Sequence, residues 1–370
     1  MNMQDRVQEL LDLTGVKLNG PNPWDIQVHN DRLYRRVLTQ GSLGLGEAYM
    51  DDAWDCERID ELVTRLLRND IRCHMRKRWP QMAIVLASVL LNRQSERRAF
   101  KVGEQHYDVG NDLYTAMLDR RLTYTCGYWK EATTLDEAQE ANLDLTCRKI
   151  GLKQGDRVLD IGCGWGSFAK FAAERYGAIV VGVTVSKEQK TLGDEMCKGL
   201  PVEIRLQDYR EVNETFNHIV SLGMIEHVGY KNYRAYFEMA ALCLKDDGLF
   251  LLHTIGSTIS SVATDPWIDK YIFPNSMLPS LAQLTKAMEG RFMVEDVHNF
   301  SAHYDKTLMA WFENFDTAWL TLKERYGDRF YRMWKYYLLT CAGSFRSRRN
   351  QLWQLVLSKH GVTGGYERFC

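Results

Sequence analysis

The chain has 370 residues, of which 45% are hydrophobic and 26% charged, enough for a core of normal size and room for two or three domains. That composition excludes wholesale disorder. Lys and Arg number 47 against 48 Asp and Glu, a net charge of −1, which excludes a globally basic nucleic-acid binder.

The first residues, MNMQDRVQELLDL, pattern as an amphipathic helix rather than a signal peptide. Helical apolar spacing recurs over Asp5–Leu13, Asp31–Thr39, Ile59–Arg68 and Trp79–Leu91, with a loop or tight helix junction expected at Gly41–Gly46. A small helical domain over residues 1–90 follows. Met82–Leu91 is the best apolar run, about half of what a membrane helix needs, and Ser88 interrupts it. Residues 1–64 carry 12 acidic and 6 basic side chains, net −6, whereas residues 65–101 carry 10 basic and 2 acidic, net +8. This shift predicts a domain boundary, with a linker over 91–105 and a second domain over 106–370. Arg65, Arg68, Arg72 and Arg76 recur at helical spacing, which suits docking on anionic lipid or, equally, a solvated helix face.

From residue 150 strands alternate with helices: Arg157–Ile161, Ala178–Val183, Val202–Gln207, His218–Leu222, Phe250–His253, Met293–His298 and Leu352–Leu357. Alternation of this kind builds a mostly parallel sheet with helices on both faces. Its ligands bind at the carboxyl ends of the strands, where the strand order reverses. Nine scattered cysteines with no C-x-x-C pair argue against a disulfide framework or a structural zinc, and no metal site is expected. A reducing cytoplasm is the simplest compartment.

The sharpest motif is Val158-Leu-Asp-Ile-Gly-Cys-Gly-Trp-Gly-Ser-Phe-Ala. A buried strand carrying Asp160 ends at Ile161, and Gly162, Gly164 and Gly166 alternate with Cys163 and Trp165 before a helix begins. A dinucleotide loop has a different glycine spacing and an acid after the second strand, where this chain has Val183-Thr-Val-Ser. The pattern resembles motif I of class I S-adenosylmethionine (SAM) methyltransferases. Thr184 and Gln189 take the place of the missing acid as candidate ribose or amino-acid partners. Gln207 and Asp208 are candidates for the adenine, against an ordinary capping role.

A closer resemblance rests on His106-Tyr-Asp-Val-Gly-Asn-Asp-Leu-Tyr, Tyr124-Thr-Cys-Gly-Tyr-Trp, Gly223-Met-Ile-Glu-His-Val-Gly, His253-Thr-Ile-Gly, Asp265-Pro-Trp-Ile-Asp-Lys-Tyr-Ile-Phe-Pro and His303-Tyr-Asp-Lys-Thr-Leu. Together with Leu159–Gly166 these resemble the cyclopropane fatty acid and mycolic acid cyclopropane synthase family, over about residues 100–345. The resemblance implies an α/β class I methyltransferase fold, a seven-stranded Rossmann-like sheet with a small N-terminal helical domain. It implies methylene transfer from SAM to a cis double bond of membrane phospholipid acyl chains. It further implies a bicarbonate ion held by Glu226, His253, Tyr304 and the backbone at Cys126 and Ile255, and adds Tyr124 and Thr125 to the cofactor set. Cys341, in Thr340-Cys-Ala-Gly-Ser-Phe-Arg, matches a cysteine sometimes assigned to catalysis in the family. A homodimer through the N-terminal domain and a peripheral, reversible membrane association complete the expectation.

The chemistry is consistent with that set. An alkene is a weak nucleophile, its methylation leaves a carbocation, and ring closure needs a proton removed from the transferred methyl. The site must therefore shield a cation, supply a base and exclude water. Tyr124, Tyr128, Trp129, Trp267, Tyr271, Phe273, Tyr304 and Trp311 cluster near the motifs, to line an acyl slot or to pack the core. Alkene methylation needs no thiolate, and Cys341 sits in an apolar helical stretch where thiols are inert. The rival readings are a methyltransferase that stops at a plain methyl group and a non-catalytic SAM-binding module.

Overall fold

The computed structural model describes residues 2–69 and 110–369. The expected helix at Trp79–Leu91, the linker at 91–105, Arg72, Arg76 and the start of the His106 motif lie outside those residues.

Seven strands build the sheet: β1 Arg157–Ile161, β2 Ile179–Thr184, β3 Val202–Leu206, β4 Phe216–Leu222, β5 Leu244–Ser257, β6 Met293–Asn299 and β7 Asn350–Ser358. Their spatial order is β3-β2-β1-β4-β5-β7-β6. The first five pair in parallel, while β7 runs antiparallel between β5 and β6. All seven expected strands are present. β5 begins six residues earlier than its apolar pattern because Lys245–Asp247, on its first turn of strand, are exposed and leave no alternation to read. β1 is the point at which the order reverses, so a cleft opens at its carboxyl end between the β1 and β4 loops.

Among the described residues up to 69, four helices are present: α1 Met3–Asp12, α2 Arg32–Gln40, α3 Ser42–Met50 and α4 Ile59–Arg68. A loop at Gly41–Gly46 is not what forms. Gly41 alone makes the junction, and α3 runs from Ser42. Gly44 and Gly46 serve close packing instead: a Cβ would stand 2.2 Å from the Arg36 carbonyl oxygen at Gly44 and 2.4 Å from Trp267 at Gly46. Glycine is chosen there for absent bulk, which a turn signal cannot distinguish.

From residue 110 the described helices are α5 Asn111–Met117, α6 Leu135–Lys149, α7 Ser167–Tyr176, α8 Lys187–Met196, α9 Tyr233–Cys243, α10 Pro266–Tyr271, α11 Leu281–Met288, α12 Ala302–Tyr326 and α13 Asp328–Arg346. Thr134 and Glu137 form a reciprocal capping box that starts α6. Leu33, Tyr49 and Leu62 of α2, α3 and α4, with Trp54 between α3 and α4, share one apolar cluster with Trp311 of α12 and Trp334, Tyr336 and Leu338 of α13. Ion pairs stitch the same seam: Arg346 pairs with Asp305 at 2.8 Å and also with the buried Asp60. Arg65 faces inward, stacked 3.8 Å over Trp24 and paired with Glu61 at 3.1 Å, which leaves Arg68 as the exposed arginine of α4. Among the described residues no helix is long and apolar enough to cross a membrane.

Candidate active site

The glycine turn follows β1 with Gly162, Gly164 and Gly166 at φ of +79°, +56° and +82°. Side chains other than glycine seldom hold such angles. A Cβ at Gly162 would strike Met224 at 2.6 Å, whereas one at Gly164 would meet nothing within 4 Å. Gly164 is thus the point of the turn where a ligand can approach bare backbone. The side chains of Cys163 and Trp165 are both buried, and the Cys163 thiol donates to the Gly164 carbonyl at 3.7 Å. Cys163 is buried beside Gly182, and Trp165 packs on Tyr114 at 4.8 Å while its indole donates to Asn111 Oδ1 at 3.1 Å. These two contribute to the turn through backbone.

Asp160 is buried at the end of β1, and its Oδ2 accepts no hydrogen bond from the protein. Burial pushes its pKa up to about 7. A buried carboxylate oxygen without a donor is costly unless a ligand supplies one. Asp160 therefore suits a cationic or hydroxyl donor of SAM. At the next strand ends Thr184 Oγ1 donates to Gln189 Oε1 at 2.7 Å, leaving the Gln189 amide nitrogen as its outward donor. The Gln207 amide donates to the Thr184 carbonyl at 3.0 Å. Asp208 caps the short turn at Tyr209–Glu211, and Arg210 binds its carboxylate through Nε at 2.9 Å. Its carboxylate is engaged by protein, so any adenine contact shares that oxygen pair.

Two further strand ends carry the second half of the site. Glu226 sits in a single turn of 3₁₀ helix after β4 and is buried. The Ile255 amide of β5 donates to its Oε1 at 2.7 Å, and its Oε2 has no partner. Burial pushes its pKa up to about 7, against the pull of the backbone bonds. His253, two residues before Ile255, is inaccessible to solvent. Burial and then the nearby Lys149 charge lower its pKa to about 3, so the ring is neutral. Its Nε2 lies 3.1 Å from Thr125 Oγ1 and its Nδ1 3.2 Å from Gln354 Nε2.

Tyr304 arrives from the first turn of α12. Its phenol is buried, held neutral by burial, close enough to Cys126 and Glu226 to feel both, and hydrogen-bonded with Thr125. Thr307, one turn on, accepts from the Gly127 amide at 3.0 Å and from the Trp129 indole at 2.9 Å. His303 Nδ1 accepts from the Trp129 amide at 3.0 Å. These bonds hold the Tyr124–Trp129 segment against α12. The structure therefore brings Glu226, His253, Tyr304, Thr125, Cys126 and Ile255 into one buried group.

The aromatic residues divide. Tyr124 contacts Trp311 at 5.2 Å, Trp311 contacts Tyr304 at 6.0 Å, and Tyr304 stacks on Phe345 at 4.5 Å, forming a wall beside the buried group. The Tyr124 hydroxyl bonds the Tyr337 hydroxyl at 2.9 Å. Trp267 and Tyr271 instead join the helical N-terminal part: Trp267 fills the gap at Gly46, and the Tyr271 hydroxyl donates to Glu47 at 2.9 Å. Cys341 lies on α13, and burial pushes its thiol up to about 12, so no thiolate forms at neutral pH. Far from this site His29, Asp52 and Asp55 cluster at the surface, where Arg332 pairs with both carboxylates, at 3.2 and 2.9 Å.

Sequence reasoning missed Thr307, Gln354, Asn142 and Lys149. Gln354 carried a signal, as a lone amide inside the apolar run Leu352–Leu357. Thr307 lay in the quoted His303 motif without a role. Lys149 and Asn142 read as ordinary helix residues.

This strand order, with a glycine turn and an orphaned acid at the reversal point, defines a class I SAM-dependent methyltransferase. The family of mycolic acid cyclopropane synthetases matches residues 94–355, and the chain belongs to that family. Cyclopropane-fatty-acyl-phospholipid synthase of Escherichia coli K12 is 50% identical over 357 residues, covering 96% of this chain and 93% of that protein. Tuberculostearic acid methyltransferase UfaA1 of Mycobacterium tuberculosis is 32% identical, covering 95% and 87%. Among solved structures, the cyclopropane synthase MmaA2 from Mycobacterium tuberculosis aligns with a TM-score of 0.66 at 31% identity, covering 70% of this chain and 98% of that one. The mycolic acid cyclopropane synthase CmaA1, complexed with SAH and CTAB, aligns with the same score, identity and coverage.

Proposed function

We infer that this enzyme transfers a methylene group from SAM to the cis double bond of unsaturated acyl chains in membrane phospholipids, forming cyclopropane rings. The observation that carries this reading is the buried group of Glu226, His253 and Tyr304, from three separate elements, beside the glycine turn. Plain SAM binding has no use for such a group.

Asp160 and the backbone at Gly164 serve the sulfonium donor. The Tyr124, Trp311 and Tyr304 faces flank the alkene and stabilise the cation that methylation leaves. The wall also excludes water, which would otherwise trap the cation. Bicarbonate fits the remaining groups on their donor chemistry. Glu226 Oε2 is an orphaned buried atom that carries a proton near neutral pH, and the His253 and Tyr304 groups are neutral donors. Bound there, bicarbonate would supply the base for ring closure. Glu226 and Tyr304 would hold it by hydrogen bonds, with protons at Oε2 and the phenol oxygen, and His253 would stand behind Tyr304, its Nε2 engaged with Thr125.

Residues 1–90 are proposed as a lipid-docking and dimerisation domain, followed by a linker over 91–105 and a catalytic domain over 106–370. The protein is read as cytoplasmic, a homodimer that docks reversibly on anionic membranes. The charge step from net −6 to net +8 supports the docking. Binding to anionic vesicles that weakens with salt is expected, and equal sedimentation with neutral vesicles counts against it.

The test of function is incubation with SAM and unsaturated phospholipid vesicles, followed by mass analysis of the acyl chains for a gain of one CH₂. The likeness to UfaA1 favours one rival, plain methyl addition. A methyl-deuterated donor separates them, since ring formation keeps two of the three labels, whereas methylation that ends in loss of a proton from the acyl chain keeps all three.

A further inference from the structure

His253, Gln354 and His298 stand in one row across three strands: His253 of β5 pairs with Gln354 of β7, which pairs in turn with His298 of β6. Lys149, at the end of α6, is fully buried over this row. Its Nζ lies 2.8 Å from Gln354 Oε1 and 3.0 Å from His298 Nδ1. Gln354 Nε2 then donates to Asn142 Oδ1 at 3.0 Å and reaches His253 Nδ1 at 3.2 Å.

Gln354 accepts from Lys149 at Oε1 and donates through Nε2 to Asn142 Oδ1, so its carbonyl faces Lys149 and its NH₂ faces His253. The flipped amide would set donor against donor in a site without water access. Facing a donor, His253 Nδ1 must accept, so the proton of the neutral ring resides on Nε2. Nε2–H then donates to Thr125 Oγ1. The Thr125 hydroxyl is left to donate to the Tyr304 oxygen, and the Tyr304 proton is left to point onward. Each bond in the chain inherits its direction from the one before it.

We propose that Lys149 and Gln354 are positioning residues that lock His253 in its Nε2–H tautomer and so aim the Thr125 and Tyr304 protons toward an anion in the site. The purpose of the aimed protons rests on the cyclopropanating reading above; the tautomer itself does not. The opposite tautomer would reverse the chain and turn an acceptor toward the anion. Removing an outer partner that orients a metal-bound imidazole typically costs about 10–100-fold, and a loss on that scale is expected for His253.

The experiment uses the full chain with ¹⁵N-labelled histidine rings, read by long-range ¹H–¹⁵N correlation, with the His253 signal assigned by its loss in His253→Phe. In the wild type, a protonated Nε2 and a bare Nδ1 are expected, and a protonated Nδ1 overturns the proposal with no variant needed. Gln354→Glu offers an acceptor to Nδ1 while keeping the Lys149 contact. It is expected to move the ring proton to Nδ1 and lower kcat by about 100-fold, with KM for SAM within about twofold. Lys149→Met is expected to give a mixture of tautomers. A Gln354→Glu protein with the wild-type tautomer, or with the reversed tautomer and wild-type kcat, overturns the proposal. An Nε2–H wild type that transfers no carbon to lipid would refute the functional reading and leave the tautomer lock standing.

Discussion

The Ile255 amide donates to one carboxyl oxygen of Glu226 at 2.7 Å, and the other oxygen of the same carboxyl has no partner. One half of Glu226 is thus spent on position, and the other half is free for chemistry.

Glu226→Gln keeps the positioning half, since its carbonyl still accepts from Ile255, but removes the titratable proton at Oε2. SAM affinity is expected to stay within about twofold, while kcat falls by about 100-fold, the ordinary loss when a positioned proton-handling group is neutralised. Calorimetry for SAM and a fatty-acid mass assay read the two separately. Full turnover in this variant would remove Glu226 from the mechanism.

If Asp160 meets the donor as proposed, the affinity for SAM is expected to depend on pH. Burial raises its folded pKa from 3.8 to about 7, so the free protein holds this proton through mildly acidic solution. A cationic ligand favours the carboxylate, so binding below pH 7 must expel the proton. Affinity should rise by up to about tenfold per pH unit on the acid side and level off above neutrality. The stability effect has the opposite sign. The folded state holds the extra proton between the two pKa values, so this contribution is present at low pH and is lost as pH rises through about 7. In Asp160→Asn the affinity profile is expected to flatten, and an unchanged slope would dissociate Asp160 from the ligand.

Cys341→Ala should keep most of the activity. The thiol stays protonated with a pKa pushed up to about 12 by burial and by Asp265, and alkene methylation has no step for it. The expected kcat is within about threefold of wild type, a packing effect and no more. A loss of a hundredfold or more in a stably folded variant would reinstate a catalytic thiol.

The part of this protein legible in its sequence is the part set by local pattern. Val158–Gly166 shows a buried strand, an acid and three glycines in a row, and all three glycines adopt positive φ. The seven strands carry apolar runs that can be read one at a time. The strand order and the partnering of Glu226 with Ile255 are long-range outcomes, which no window of sequence displays. Gly44 and Gly46 misled because absent bulk and a turn look alike in sequence. Lys149 was hidden for a related reason: a cation in the last turn of a helix is ordinary, and only the sheet beneath reveals that this one is buried.

Gly343 of α13 extends that lesson to stability. It lies where α13 crosses α4, and an added Cβ would stand 2.4 Å from the Asp60 carbonyl oxygen and 3.0 Å from Val63. In an isolated helix Gly→Ala gains about 1 kcal/mol. Here the helices must part, and overpacking of a tight core costs about 1–3 kcal/mol. The obstruction is backbone, which cannot swing aside as a side chain does, so the cost is expected to exceed the gain. It also strains the neighbouring pairing of Arg346 with Asp60. Gly343→Ala should therefore lower the thermal midpoint, measured by calorimetry at constant protein concentration. A raised midpoint would mean that α4 and α13 separate at little cost, and that the seam between the N-terminal helices and the catalytic part is looser than its packing implies.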